Sequence, residues 1–332
     1  MVQDKIAFEK AIHILGTHTQ RNIAKASVHV LVTLIFLWSG IIASHYCYHH
    51  FAWGLIISVP ITIVFMCRSY VMEHDCGHGS MFSSKASNFI IGNLMGFGIL
   101  IPYSLWKYIH DSHHMNVGNL DRRAFNPEIW TITLHEYQTA SMFKKIAYRF
   151  MRSKFTRFLL APTINMGIVF RIVNKRFNWK ANVSIIIHDV LYGFAIYYFI
   201  LEFSLVEFLF IFYLPLVFFY FIASFTFYAQ HQFEDTYWEK AENWDYHEAS
   251  FHGATFIDAP KWYCWLTGNV VYHNIHHLMS SIPFYRLNEA QLALGQIIPY
   301  KRIPLSEVFQ MLSLKLWDES KKKMVPFPKT TN

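Results

Sequence analysis

Four long apolar runs limit the folds that are open to this chain. They occupy residues 27–44, 51–66, 183–201 and 205–229. Each approaches or exceeds the roughly 20 residues that an α-helix needs to cross a bilayer. Asp189 and Glu207 are the charged residues within these runs. Because every backbone group inside hydrocarbon must be bonded internally, the runs predict transmembrane helices.

Composition agrees with a membrane protein. Hydrophobic residues make up 53% of the 332, and charged residues only 15%, well below the usual quarter. We predict one all-α integral membrane domain over residues 1–332, with four spans in two hairpins at about 27–45, 51–71, 183–201 and 205–229. The segments 72–182 and 230–332 would then form a helical cap. Two further apolar stretches, 89–102 and 158–173, are short or interrupted and predict interfacial segments.

The distribution of cations predicts the orientation. The short segments 45–50 and 202–204 contain no Lys or Arg, whereas the middle of the chain and both ends are rich in them. Since Lys and Arg mark the cytoplasmic side, both termini and the cap should be cytoplasmic. The net charge of +7 follows from this flanking pattern and does not indicate a nucleic-acid partner.

Three histidine clusters lie in the segments predicted to be cytoplasmic. They read HDCGH at 74–78, HDSHH at 110–114 and HNIHH at 273–277. Helical spacing of three or four residues brings the imidazoles of one cluster to one face. Imidazole binds iron, copper, zinc and nickel, and eight imidazoles exceed the needs of one metal. We therefore predict a two-metal site from the following residues: His74, His78, His110, His113, His114, His273, His276 and His277.

Other interpretations of the clusters are weaker. A zinc protease would carry HExxH and a ferritin-like site would carry several carboxylate ligands, and neither pattern occurs in the clusters. A membrane metal sensor or transporter remains open, although its polar groups would be expected inside the spans. Asp75, Asp111 and Asn274 lie within the clusters, and we expect them to support the ligand imidazoles by hydrogen bonding.

Together the three clusters resemble the histidine boxes of membrane fatty acid desaturases. The spacings HxxxH, HxxHH and HxxHH are similar to the bacterial acyl-lipid subgroup of delta-12 (omega-6) and Bacillus delta-5 types. The segments "NLDRRAFNPEIWTITLHEY" and "YAQHQFEDTYW" also resemble that subgroup, so the resemblance covers about residues 50–300. Related hydroxylases and ketolases, which act on acyl or carotenoid substrates, share such boxes and remain the alternative.

The resemblance implies an oxidoreductase that introduces a cis double bond into a lipid-linked acyl chain, using O2 and two electrons at two iron ions. It implies that the eight box histidines and His231 ligate iron. It also implies a bacterial inner-membrane location and a separate electron donor such as a ferredoxin, for which the basic stretch Lys144 to Arg157 is a candidate docking surface. The box-like HYCYHH at 45–50 is expected in the outer loop, without metal.

Overall fold

The computed structural model describes residues 2–123, 130–296 and 302–329. Among the described residues, the regular elements of the first half are helices and one short strand. The elements are α1 (Val2–Gly16), α2 (Ile23–His50), α3 (Leu55–His78), α4 (Lys85–Phe97), α5 (Tyr103–Asn116), β1 (Ile132–Thr133), α6 (Leu134–Thr139), α7 (Met142–Met151) and α8 (Ala161–Gly167).

The second half carries two long helices and then a mixed cap. Its elements are α9 (Trp179–Phe203), α10 (Leu205–Phe208), α11 (Leu214–His231), α12 (Tyr246–His252), β2 (Phe256–Asp258), α13 (Lys261–Leu266), α14 (His273–Leu278), α15 (Leu287–Gly295), β3 (Arg302–Pro304), α16 (Val308–Met311), β4 (Leu316–Asp318) and β5 (Lys323–Val325). The short strands pair as β1-β4-β5 and β2-β3, additions to the cap that the all-α prediction did not include.

Four continuous helical segments are long and apolar enough to cross a membrane, as predicted. They are Ile23–His50, Ala52–His78, Trp179–Phe203 and Leu205–His231 among the described residues. At 1.5 Å per residue, a segment of 27 residues is about 40 Å long, against about 30 Å of hydrocarbon. The spans therefore project beyond the bilayer core, and their ends can carry polar side chains.

Two predicted boundaries are wrong. The first helix continues to His50, so HYCYHH forms its last turns and is not a loop. The second continues through the first histidine cluster to His78 and ends at Gly79, whose φ of 68° forms a left-handed cap. Hydropathy detects the part of a helix that matches hydrocarbon, whereas the helix itself ends where the backbone is capped.

The cap segments pack on the cytoplasmic ends predicted for the spans. Met72 and Cys76 at the end of α3 belong to the same hydrophobic core as Ile275 and Phe284. Ile275 lies within the third histidine cluster, and Phe284 follows it in the sequence. The stretch predicted to be interfacial at 158–173 forms a π-helical turn, α8 and a 3-10 turn. Its Arg171 donates to Asp189 at 3.0 Å, which explains how a charge is tolerated within α9.

Helix α7 has an exposed apolar face. Met142, Phe143, Ile146 and Phe150 are each more than half exposed, and they recur at helical spacing beside Lys144, Lys145 and Arg149. Such a helix is typical of segments that lie in the bilayer interface.

Candidate metal centre

Four helices bring their histidines to one place. The ends of α3 and α11 meet α5 and the short α14, so that chain-distant imidazoles touch. The ring centroids of His74 and His276 are 4.4 Å apart, and those of His114 and His277 are 4.3 Å apart. The centre thus lies where two spans end and two cap helices cover them.

The first group of imidazoles contains His74, His78, His110 and His276. One ring nitrogen from each lies within 4.8 Å of the others, close enough to share a metal ion. His114 adjoins this group, because its Nε2 is 3.1 Å from Nε2 of His110 and 2.9 Å from Nε2 of His276.

The second group contains His113, His231, His273 and His277, all buried and equally close. Nε2 of His273 is 2.9 Å from Nε2 of His231 and 3.1 Å from Nε2 of His277. His113 and His277 approach to 3.4 Å through the same atoms. The structure therefore brings together all nine histidines that the sequence singled out.

The donor set fits a transition metal such as iron. Ring nitrogens converge on one another, and the buried Nε2 atoms of His74 and His78 have no hydrogen-bond partner among the described residues. Leaving such groups unpaired costs roughly 1–3 kcal/mol each. The Nδ1 of His231 donates to the carbonyl of Gly253 at 2.8 Å, so its Nε2 presents a lone pair to the group. An all-imidazole set suits iron, copper, zinc or nickel.

Burial favours the neutral imidazoles that metal binding requires. Five cap histidines in or beside the two groups have a pKa well below the usual value. Burial is the main cause, and the neighbouring imidazoles add to it. These are His110, His114, His273, His276 and His277. Deprotonated rings can bind metal without first losing a proton.

The three supporting residues proposed from the sequence differ in their surroundings. Asp75 is buried, faces Nδ1 of His74 at 3.3 Å and accepts from the backbone N–H of Phe284 at 2.7 Å. Asn274 is buried, but its Oδ1 has no hydrogen-bond partner among the described residues. Asp111 is placed elsewhere: it pairs with Lys107 at 2.8 Å on the surface, because it points away from the buried side of α5.

Two aromatic residues touch the centre, a contact that was not predicted from the sequence. Trp106 stacks on His110, with 4.5 Å between ring centroids. Phe227 contacts His113 and His231. Trp106 lies one helical turn before His110, and Phe227 one turn before His231, so i to i+4 spacing from the ligands is the signal that could have found them.

Apolar cavities lead to the centre. A small one, about 40 Å³, is lined by apolar side chains and by His74, His110 and His273. A larger one, about 830 Å³, is of the size that holds small ligands. Tyr70, Phe219, Ala223 and Phe227 line both cavities, which are therefore neighbours that share a wall.

Comparison with known proteins agrees with this geometry. Residues 51–309 match the family model described as fatty acid desaturase. The chain is 35% identical over 278 residues to a fatty acid desaturase of Bacillus subtilis, covering 82% of this chain and 78% of that protein. It is 25% identical to the sn-1 oleoyl-lipid 12-desaturase of Synechocystis, over 83% of this chain and 78% of the relative. It is 27% identical to the sn-1 acyl-lipid omega-3 desaturase (ferredoxin) of the same organism, over 72% and 68%.

Proposed function

Since the chain belongs to the fatty acid desaturase family, we propose that it desaturates lipid-linked acyl chains at two irons held by nine histidines. It is a multi-pass membrane oxidoreductase that introduces double bonds into acyl chains, and the hydroxylase or ketolase alternative is not favoured by its relatives. One observation supports the detailed proposal most: the small apolar cavity reaches His74, His110 and His273, side chains from both imidazole groups.

The two imidazole groups would each hold one iron. His74, His78, His110, His114 and His276 would bind the first, and His113, His231, His273 and His277 the second. Iron bound there would supply the oxidising power, with O2 and two electrons, to remove hydrogens from unactivated C–H bonds, which acid–base side chains cannot do.

The protein's own residues orient the acyl chain and exclude water. Tyr70, Phe219 and Phe227 line both cavities, and an acyl chain reaching from one cavity to the other would pass between them. An acyl chain held there presents its methylenes to the imidazole groups in a fixed order, which selects the pair of carbons that reacts. The buried carbonyl of Gly253 keeps the His231 ring in one tautomer and one orientation.

The polar part of the lining of the large cavity suits a phospholipid. The half-buried Arg157 and the exposed Arg176 and Asn174 contribute to its lining. Guanidinium groups bind phosphate through paired hydrogen bonds. The relatives named for acyl-lipid substrates support a glycerolipid in this position, with its acyl chain running inward.

The electron donor would be a separate protein of the ferredoxin class, as the name of one relative states for that protein. Fewer cations of the basic stretch Lys144 to Arg157 are free to contact a donor than the sequence suggested. Arg152 is buried and donates to Gln232 at 2.6 Å, and Arg157 lines the cavity. Exposed Lys144 and Lys154 remain available, and the predicted cytoplasmic orientation would present them to a soluble donor.

Reconstitution of the purified enzyme tests the proposal. With a ferredoxin and its reductase, we expect about two irons per chain and new double bonds in intact phospholipids, detected by mass spectrometry. Acyl-CoA and acyl-carrier protein serve as competing substrates. Zinc in place of iron, or desaturation of the acyl thioesters alone, would contradict the proposal.

Narrowing the passage should block the substrate without disturbing the metals. Ala223→Phe places a ring in the wall that the two cavities share, and we expect about a 100-fold loss of product, since small displacements of a substrate have costs of that order. Iron content should be unchanged. The control is Ile187→Phe on the lipid-facing side of α9, where the side chain is 53% exposed. Equal loss in both variants would mean that the cavity does not carry the acyl chain.

A further inference from the structure

A third cluster of side chains that can ligate metal lies where the first span ends and the fourth begins, at the opposite end of the fourth span from the histidine centre. His45 and His49 project from the last turns of α2, and Glu207 comes from the first turn of α10. Their nitrogen and oxygen atoms lie within 4.8 Å of one another. Glu207 and His231 belong to the same fourth span and are 24 residues apart in sequence (231 − 207), which at 1.5 Å per residue is about 36 Å of helix.

The carboxylate of Glu207 is buried, and no Lys or Arg side chain pairs with it among the described residues. The residue is 4% exposed, and among the described residues its ion-pair partners are His45 and His49 alone. No Lys or Arg occurs between Lys25 and Arg68 or between Lys180 and Lys240. A buried anion is costly unless it is paired, and among the described residues only the imidazoles of His45 and His49 form ion-pair contacts with this carboxylate.

The three ligand atoms have a spacing suited to one metal ion. Nδ1 of His45 is 3.0 Å from Oε1 of Glu207, and Nε2 of His49 is 2.7 Å from the same oxygen. The ring nitrogens of the histidine centre, 2.9 to 3.4 Å apart, show similar spacing. Ligand atoms of a tetrahedral zinc ion are about 3.4 Å apart, so small side-chain adjustments would open the site.

We propose that His45, His49 and Glu207 form a second, independent metal site that binds Zn²⁺. Two imidazoles and one carboxylate, with water in the fourth position, make a donor set that zinc uses in proteins. The side chains of His45 and His49 are 36% and 48% exposed, so an ion can enter from solvent. Bound zinc would neutralise Glu207 and join the first helical hairpin to the second at this face.

Zinc titration of the purified, iron-containing protein tests the site. We expect one zinc per chain at micromolar free zinc, measured with iron by elemental mass spectrometry. His49→Ala and Glu207→Gln should weaken this binding by at least about tenfold, the loss seen even when an outer partner of a ligand is removed. His49→Ala should keep its iron and its desaturase activity.

His50→Ala is the matched control, because His50 lies on the same helical turn, exposed, and outside the group. It should bind zinc like the unmodified chain. Equal zinc binding by His49→Ala and His50→Ala, or zinc uptake matched by iron loss in every variant, would overturn the proposal. If Glu207→Gln fails to fold, the half-exposed His49 still provides the decisive comparison.

Discussion

At the residue scale, His231 shows how a single histidine outside the clusters joins the centre. It ends α11, is buried, and lies within 3 Å of His273 through its Nε2 while its Nδ1 donates to Gly253. No periodic pattern surrounds it in the sequence. The resemblance to a family identified it, and the structure supplies the distances.

Replacing His231 should remove one metal and not both. In His231→Ala we expect iron to fall from about two to about one per chain, because the second group loses one of four ligands. Activity should fall at least about 100-fold, the upper effect of outer partners of a metal ligand. His247→Ala, at an exposed histidine outside both groups, is the control. Full iron content in His231→Ala would exclude it as a ligand.

The different surroundings of Asp75 and Asp111 could not be predicted from the sequence around each residue. Each follows directly on a cluster histidine in the same His-Asp pair, and the sequence treats them alike. Asp75 is buried by the segment around Phe284, more than 200 residues away, while Asp111 faces Lys107 one turn earlier on the same helix. Which side of a helix is covered depends on distant packing that local spacing does not encode.

At the element scale, Arg68 connects the second span to the cap. From within α3 it donates to the carbonyl of Trp265 at 2.7 Å, and its guanidinium stacks on the Trp265 ring at 4.7 Å. This contact holds the segment leading to the third histidine cluster against the helix that carries the first. A charged residue in a span is costly, and here its partners explain why it is retained.

Arg68→Met should therefore destabilise the protein. We expect a loss of about 1–3 kcal/mol from the unpaired carbonyl alone, measured as a lower midpoint of thermal unfolding in detergent. Arg68→Lys should recover only part, since an ammonium group cannot stack as a guanidinium does. Lys85→Met, at the exposed first residue of α4, should leave the midpoint unchanged. Equal midpoints for all three variants would mean that the contact contributes nothing.

The spans themselves were predictable, but the elements around them were not. Hydropathy identifies the four spans because a helix that crosses a bilayer must be about 20 residues long and mostly apolar. The cap has no such constraint. Its helices α12 to α14 are six or seven residues long, and short helices depend on tertiary contacts more than on their own sequence.

At the scale of the whole molecule, metal binding should stabilise the packing of the cap on the spans. Metal that binds only the folded state raises its stability with ligand concentration. After chelation under reducing conditions, we expect faster hydrogen exchange in α5 and α14, which together carry six of the nine proposed ligands. Exchange in α9, which carries none of the proposed ligands, is the internal control. Unchanged exchange in α14 would contradict a stabilising metal.

The four segments that form the centre emerge from the ribosome at very different times. His74 precedes His277 by 203 positions (277 − 74), which at 5–20 residues per second corresponds to about 10–40 s of synthesis. Throughout that interval the nascent chain offers only part of either imidazole group. Neither group is complete until α14 has been made, so a metal ion that needs a whole group could bind only after all four spans have been synthesised.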